Sequence, residues 1–387
     1  MDISSIINHL GEERKKYFNA VSPPILQTSN FCFDSVSDLR HAVSDELINP
    51  IYSRGNNPTV EILRKKLAAL EGSEDCLVFS SGSAAIAAAL IGNVNTGDHI
   101  ICVENPYSWT KFMLDQFLPR FGVHHTYVDA RELKNIEDAI KPNTKVLMLE
   151  SPNTMTFELQ DLPACAALAK KHNILTICDN SYSSPIFQRP IEMGIDMVVH
   201  SGTKYLNGHS DVVVGVLCGP RKMIKQLFHS EFMGIGANLQ AHDAALVIRG
   251  LRTLPIRMSK SYESGMKVAQ FLEDHSKIKQ VNYPFLKSAE QYDLAKKQMS
   301  GCSGMFTFEL NVDSIEQAEK FSNGLKRFLI AVSWGGYESL IVPLAAFYDV
   351  EGKDDPVYPF TMVRMYIGLE DVDLLIADIE QALDQLD

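Results

Sequence analysis

The sequence predicts an α/β chain: a mostly parallel central sheet with helices on both faces, followed by a smaller α+β C-terminal domain. Two observations carry this. Short apolar runs without polar alternation (CLVFS, HIICVEN, KVLMLESP, ILTICDN, DMVVHSGTK and VVVGVLCG) recur between residues 76 and 219, separated by segments of helical periodicity. Strands buried on both faces of a parallel sheet read this way. Further on, GMFTFELNV and VRMYIGL read as strands of an antiparallel sheet, with SIEQAEKFSNGL and DVDLLIADIEQALDQL as packing helices.

Taken in order, residues 1–54 carry no strong periodic block and contain the turn signals SPP and NP, so they read as an N-terminal arm. VEILRKKLAALEG places apolar residues at spacings of three and four before a glycine stop, which is an amphipathic helix. AAIAAALIG, WTKFMLDQFLPRFG, RELKNIEDAIKP and PACAALAKKHN are further helices between the apolar runs. The stretch from Ala244 to His275 reads as one long helix or two, with a kink at Pro255. At about 150 residues per domain the length suggests two to three domains. The boundaries expected are 1–54, 55–250 for a large cofactor-binding domain, and 251–387.

Composition narrows the function. The 387 residues are 45% hydrophobic and 22% charged, which is ordinary for a globular chain and argues against disorder. Thirty-six basic against 48 acidic residues give a net charge of −12, a poor balance for a polyanion binder, so no nucleic-acid partner is expected. Seven cysteines, an odd number with no C-x-x-C pair, fit a reducing compartment and no zinc ribbon. The start MDISSIINHLGEERKKYF lacks a basic segment followed by an apolar one, and no uncharged run nears the roughly 20 residues that cross a bilayer. The expectation is a cytoplasmic protein with no membrane partner. His124, His125, His200 and His209 lack further ligands at metal spacing, so no metal is expected.

In an open parallel sheet, ligands sit beyond the carboxyl ends of the strands. Ser80, Ser81, Gly82 and Ser83 follow the first run, Tyr107 the second, and Glu150 closes the third. Asp179 and Asn180 close the fourth, and Ser201, Thr203 and Lys204 the fifth. The SSGS turn opens a helix whose free amides suit a phosphate, although an ordinary strand-to-helix turn has the same composition. Asp179 fits a cationic ring nitrogen, and equally a helix cap or strand-end salt bridge. Lys204, hemmed by small residues and hydroxyls, fits a Schiff-base lysine, the alternative being a surface lysine that caps a strand. Together, a phosphate cradle, an acid and such a lysine are the anchors of pyridoxal phosphate, and Tyr107 can stack on its ring.

The run HSGTKYLNGHSDVVVG resembles the lysine signature of the pyridoxal-phosphate enzymes of cysteine and methionine metabolism, the cystathionine lyase and synthase group. YSRGNNPT, EDCLVFSSGSAAI, ESPNTMTFELQDL, CDNSYSSP, RGLRTLPIRM, SWGGYESL and VRMYIGLEDVDLLIADI are similar to further runs of that family, in its order, from about residue 20 to the end. The resemblance implies the aspartate-aminotransferase-like architecture of pyridoxal-phosphate fold type I. It also implies roles. Lys204 is similar to the Schiff-base lysine, Asp179 to the partner of the ring nitrogen, Tyr107 to the stacking tyrosine and Thr154 to the ring-hydroxyl contact. Gly82, Ser83, Ser201 and Thr203 resemble phosphate ligands. Tyr52 and Arg54 resemble a pair that reaches the phosphate of a neighbouring subunit, which implies a homotetramer built as a dimer of dimers. Arg364 and Ser333 resemble the clamp on the substrate carboxylate, the planar fork of arginine suiting that anion.

Within the family, SWGGYESL and IGLEDVDLLIADI are most similar to the bacterial cystathionine β-lyase branch, with Trp334 beside the substrate where relatives usually carry Leu. Ser108 and Trp109 stand where the common pattern has Gly-Gly, Ser83 replaces a common Met, and Val332 stands where γ-synthases and many γ-lyases carry Glu. The implied activity is a carbon–sulfur lyase of methionine biosynthesis that cleaves the thioether L-cystathionine to homocysteine, pyruvate and ammonia. Lys204 would take the Cα proton, with Lys204 or Tyr107 protonating the leaving thiolate. Cystathionine γ-synthase, γ-lyase, methionine γ-lyase and homoserine sulfhydrylase activities use the same scaffold. Transamination and a regulator without turnover are more distant readings.

Overall fold

The computed structural model describes residues 1–352 and 355–386, so three residues of the expected 251–387 domain lie outside the described part. Seven strands form the first sheet: β1 (Asp75–Phe79), β2 (His99–Val103), β3 (His124–Val128), β4 (Thr144–Glu150), β5 (Leu175–Asp179), β6 (Met197–Ser201) and β7 (Gly215–Gly219). Their spatial order is β1-β7-β6-β5-β4-β2-β3. All neighbours are parallel except at β7, which runs antiparallel to both β1 and β6. The mostly parallel sheet expected from the apolar runs is therefore present. β3 has no counterpart among those runs. His124, His125 and Thr126 give it little apolar signal, and as an edge strand it is only partly buried.

Local chemistry sets the helix ends. Helix α1 (Ile3–His9) and helix α2 (Val36–Val43) lie in the segment expected to be an arm without periodicity, each capped by an acidic or hydroxyl side chain. Helix α3 (Pro58–Glu71) begins on an Asn57 cap with proline in its first turn and stops at Gly72, whose φ of +72° is costly for other residues. Helix α4 (Gly82–Ile91) starts on Ser81. The Ala244–His275 stretch resolves into two helices, Ala241–Leu251 and Leu254–Glu273, with Pro255 in the first turn of the second. Proline starts that helix because its missing N–H is not needed there.

A second sheet follows: β8 (Ile278–Asn282), β9 (Met305–Leu310), β10 (Leu329–Ile330), β11 (Leu340–Pro343) and β12 (Met362–Tyr366), ordered β10-β11-β12-β9-β8. Only the β10–β11 pair is parallel. Among the described residues, no helix is long and apolar enough to cross a membrane. None of their His, Cys, Asp and Glu side chains form a group of three or more that could hold a metal ion.

The N-terminal segment is fastened by a buried charge cluster. Lys66 of α3 is fully buried, and its Nζ donates to the carbonyls of Ile6 and Ile7 at 3.1 and 3.0 Å. Glu12 lies 3.1 Å from the same Nζ and also meets Arg14 at 2.9 Å and Arg252 at 3.3 Å. Removing one partner of a buried pair leaves the other charge without compensation, at a cost of about 3–5 kcal/mol. Glu12→Ala should therefore lower the thermal unfolding midpoint clearly, and an unchanged midpoint would contradict a structural role for the cluster.

Candidate active site

The ends of β4, β5 and β6 lie level, because Glu150 is in register with Asp179 and Asp179 with Val199. Beyond them opens a cavity of about 310 Å³. Gly82, Ser83, Tyr107, Thr154 and Asp179 line it from one side of the chain order, and Ser201, Thr203, Lys204, Ser333 and Trp334 from the other. The structure thus brings ten of the expected site residues together.

One end of the cavity is built for an anion. Ser81 Oγ accepts the amide of Ala84 and the Ser81 carbonyl accepts that of Ala85, so the Gly82 and Ser83 amides at the first turn of α4 have no helical acceptor ahead of them. A Cβ on Gly82 would stand 3.0 Å from the Cα and Cβ of Ser201, so glycine is what lets the helix end meet β6. The Thr203 hydroxyl already donates to the Val214 carbonyl at 3.3 Å and accepts the Val214 amide at 2.9 Å.

The other end holds two carboxyls on adjacent strands. Asp179 Oδ1 accepts from the Ser181 amide at 2.9 Å and the Ser181 hydroxyl at 2.6 Å. Burial pushes the Asp179 carboxyl up, opposed by these bonds and by His200 and Lys204. Burial and the neighbouring Asp179 push Glu150 up to about 8, and its Oε2 accepts the Tyr107 amide at 2.7 Å. Two carboxyls this close and dry do not both ionise. Near neutrality Glu150 keeps the proton, and the two Ser181 donors favour the charge on Asp179. Burial also raises the Tyr107 phenol, with the Ser83 side chain acting against it.

Lys204 Nζ donates to Ser333 Oγ at 2.5 Å and lies 5.7 Å from the centre of the Trp334 ring, which packs edge-on against Tyr205. Burial, with Arg364 adding to it, lowers the amine to about 8. Ser333 has a φ of +86°, a strained backbone for a serine, and such strain gathers at functional sites. Gly335, at φ +84°, brings the same loop against Lys204: a Cβ there would stand 3.0 Å from the Lys204 Cα. Arg364 on β12 has no carboxylate partner among the described residues. Its guanidinium meets Met155 Sδ at 4.0 Å, and burial lowers it to about 10. A desolvated guanidinium suits a planar carboxylate, which it can bond through two parallel N–H groups.

Tyr52 and Arg54 are not part of this cavity within the chain. The Arg54 guanidinium lies 5.7 Å from the Tyr52 ring, and both line a different surface cavity with Asn57 and Asn238. Sequence reasoning also missed contributors. Ser181 is legible afterwards as a serine two residues beyond an aspartate, a short-range turn pattern. The Glu150 bond to Tyr107 and the Met155 contact with Arg364 join residues 43 and 209 positions apart and leave no local signal.

Free amides at a helix end, a buried acid that accepts two bonds from Ser181 and a lysine amine lowered to about 8 line one cavity, and these residues fit pyridoxal phosphate. The comparisons agree. Residues 4–384 match the model of the Cys/Met metabolism PLP-dependent enzyme family. The chain is 40% identical to the L-methionine gamma-lyase of Treponema denticola, covering 98% of this chain and 96% of that one. It is 34% identical to the L-alanine/L-glutamate racemase of Wolbachia pipientis wMel, covering 100% and 98%. The crystal structure of metB from Corynebacterium glutamicum superposes with a TM-score of 0.93 at 33% identity, covering 100% and 99%. This chain belongs to the Cys/Met metabolism family of pyridoxal-phosphate-dependent enzymes, and its architecture is fold type I.

Only the neutral amine of Lys204 can bond an aldehyde. With its value lowered to about 8, uptake of pyridoxal phosphate by the apoprotein should accelerate as pH rises to about 8 and level off above it. Stopped-flow absorbance across that range checks this, and a rate still climbing toward pH 10 would show an unperturbed lysine.

Proposed function

We propose that the chain is a carbon–sulfur lyase acting on an L-amino-acid thioether, and that its reaction is the β-elimination of L-cystathionine to homocysteine, pyruvate and ammonia. The observation that carries the lyase reading is the position of Lys204: one amine, lowered to about 8, with Asp179 among the charges acting on it and Ser333 and Trp334 against its head. The branch reading rests on Trp334 at the cavity wall and on Val332 before Ser333, the position where the resemblance gives γ-synthases and many γ-lyases a Glu.

Pyridoxal phosphate, when bound, withdraws electrons from the substrate's Cα. Asp179 would keep a proton on its ring nitrogen, Tyr107 would cover the ring, and Thr154 would meet the ring hydroxyl. The Gly82 and Ser83 amides and the Ser201 hydroxyl would hold the phosphate, with Thr203 joining them if its hydroxyl turns from Val214. Arg364, with the Ser333 backbone, fixes the substrate carboxylate, and Trp334 excludes water from the side chain beyond it. Lys204 Nζ is then the base that removes the Cα proton, and the same amine, or Tyr107, returns a proton to the departing sulfur. Tyr52 and Arg54 act in a neighbouring subunit of a homotetramer, which agrees with their place outside this chain's own cavity.

A second reading, γ-elimination, is favoured by the 40%-identical relative named L-methionine gamma-lyase. Product analysis separates the readings. Holoenzyme with L-cystathionine should give pyruvate and homocysteine. Formation of 2-oxobutyrate from L-cystathionine or L-methionine would replace β- with γ-elimination. D-alanine from L-alanine, without keto acid, would move the chain toward the Wolbachia relative and overturn the lyase reading.

Arg364→Ala removes the carboxylate clamp while leaving Lys204 in place. Losing one side of a desolvated charge pair costs about 2–5 kcal/mol, so KM should rise on the order of 30-fold or more. An unchanged KM would exclude Arg364 as the clamp.

A further inference from the structure

Behind the cavity, the three strand ends that carry the site are tied together one residue away from it. Asn180, next to Asp179, donates through Nδ2 to Glu71 Oε1 at 3.1 Å and to the Gln188 carbonyl at 2.8 Å. His200, next to Ser201, places Nε2 2.5 Å from the same Glu71 oxygen. The carbonyl of Ser151, next to Glu150, accepts Gln188 Nε2 at 2.7 Å, and Gln188 in turn bonds Asn180 Oδ1 at 3.0 Å. Glu71 and His200 are 1% and 2% exposed, and Glu71 Oε2 has no partner among the described residues. A buried acid–base pair is expensive to desolvate, so its presence here needs a reason beyond packing.

Its position supplies one. His200 stands one residue past Val199, the register partner of Asp179 on the neighbouring strand. Glu150 flanks Asp179 from the other side, on β4. Asp179 thus lies between a carboxyl that disfavours its charge and an imidazole that favours it. Near Glu71, burial and then Asp179 push the Cys178 thiol up, and a hydrogen bond with Cys76 and then burial push the Cys218 thiol up, so both stay neutral. Lys204 and Ser181 complete the groups facing Asp179.

We propose that Glu71 and His200 form a positioning dyad: Glu71 keeps the His200 ring charged, and that charge, with the Asn180 tether, holds Asp179 ionised and aimed at the ring nitrogen of pyridoxal phosphate. The inference rests on the role given to Asp179 under the proposed function. Neither dyad member touches substrate or cofactor.

The test is ¹⁵N NMR of holoenzyme reconstituted with pyridoxal phosphate labelled at the ring nitrogen, followed from pH 6 to 9. The Glu71→Gln/His200→Gln double variant retains amide donors and acceptors but removes both charges. Its ring nitrogen should lose its proton at least about one pH unit lower than in the wild type, the scale of one close opposite charge. A titration that superposes on the wild type overturns the dyad. Asp179→Asn separates this failure from a failure of the underlying reading. If Asp179→Asn also leaves the ring nitrogen protonated as in the wild type, the role of Asp179 itself falls. Neutron diffraction from wild-type crystals needs no variant. It should find both ring nitrogens of His200 deuterated, and a singly deuterated ring overturns the proposal.

Discussion

The structure depends on one electrostatic constraint: two carboxyls, Glu150 and Asp179, buried side by side at the ends of adjacent parallel strands. Only one of them keeps its charge in so dry a place. The surroundings decide which. Two donors from Ser181, with Lys204 nearby, favour the ionised form of Asp179, while Glu150 meets mainly desolvation. Glu150 then serves as an acceptor that anchors Tyr107 through its backbone amide. The charge of one acid and the placement of an aromatic ring therefore come from the same local imbalance.

That imbalance needs a rigid frame. The parallel strands fix the carboxyls in register, the antiparallel β7 pairs with β6, and Thr203 and Lys204 just after β6 line the cavity. The second sheet contributes Arg364 from β12, opposite Thr307 of β9, whose hydroxyl in turn holds the Met155 carbonyl at 2.9 Å. Met155 is also the side chain in contact with the Arg364 guanidinium, so the loop after β4 and the second sheet share one hinge of contacts above the site. The Gln188–Gln298 bond at 3.1 Å makes a second link, from the polar network behind the sheet to the helix Tyr292–Gln298.

Family membership narrows the chemistry without choosing the product. Relatives of similar identity carry names for thioether cleavage and for racemisation, and all of them need a base at Cα. What separates such outcomes is what happens after that proton leaves: whether a sulfur departs from Cβ, a second proton leaves Cβ, or the first returns from the opposite side. Trp334 and the strained Ser333 stand in the cavity wall beside Lys204.

By itself, the sequence determined what local chemistry governs. Apolar runs ending in polar residues marked six of the seven strands of the main sheet, and the polar residues at their ends supplied nine members of one cavity, while Thr154, Ser333 and Trp334 came through the family resemblance alone. Strand β3 escaped because an edge strand need not be apolar, and α1 and α2 escaped because they are short, α2 being exposed except at Ala42. Tertiary structure alone decided the pairings. Glu71 meets His200 across 129 positions, and Glu150 meets Tyr107 across 43. Whether Asp179 or Glu150 carries the charge is set by the water excluded and the partners brought close once the strands align. No residue type or spacing along the chain encodes that environment, because desolvation is a property of the packed neighbourhood rather than of the residue that suffers it.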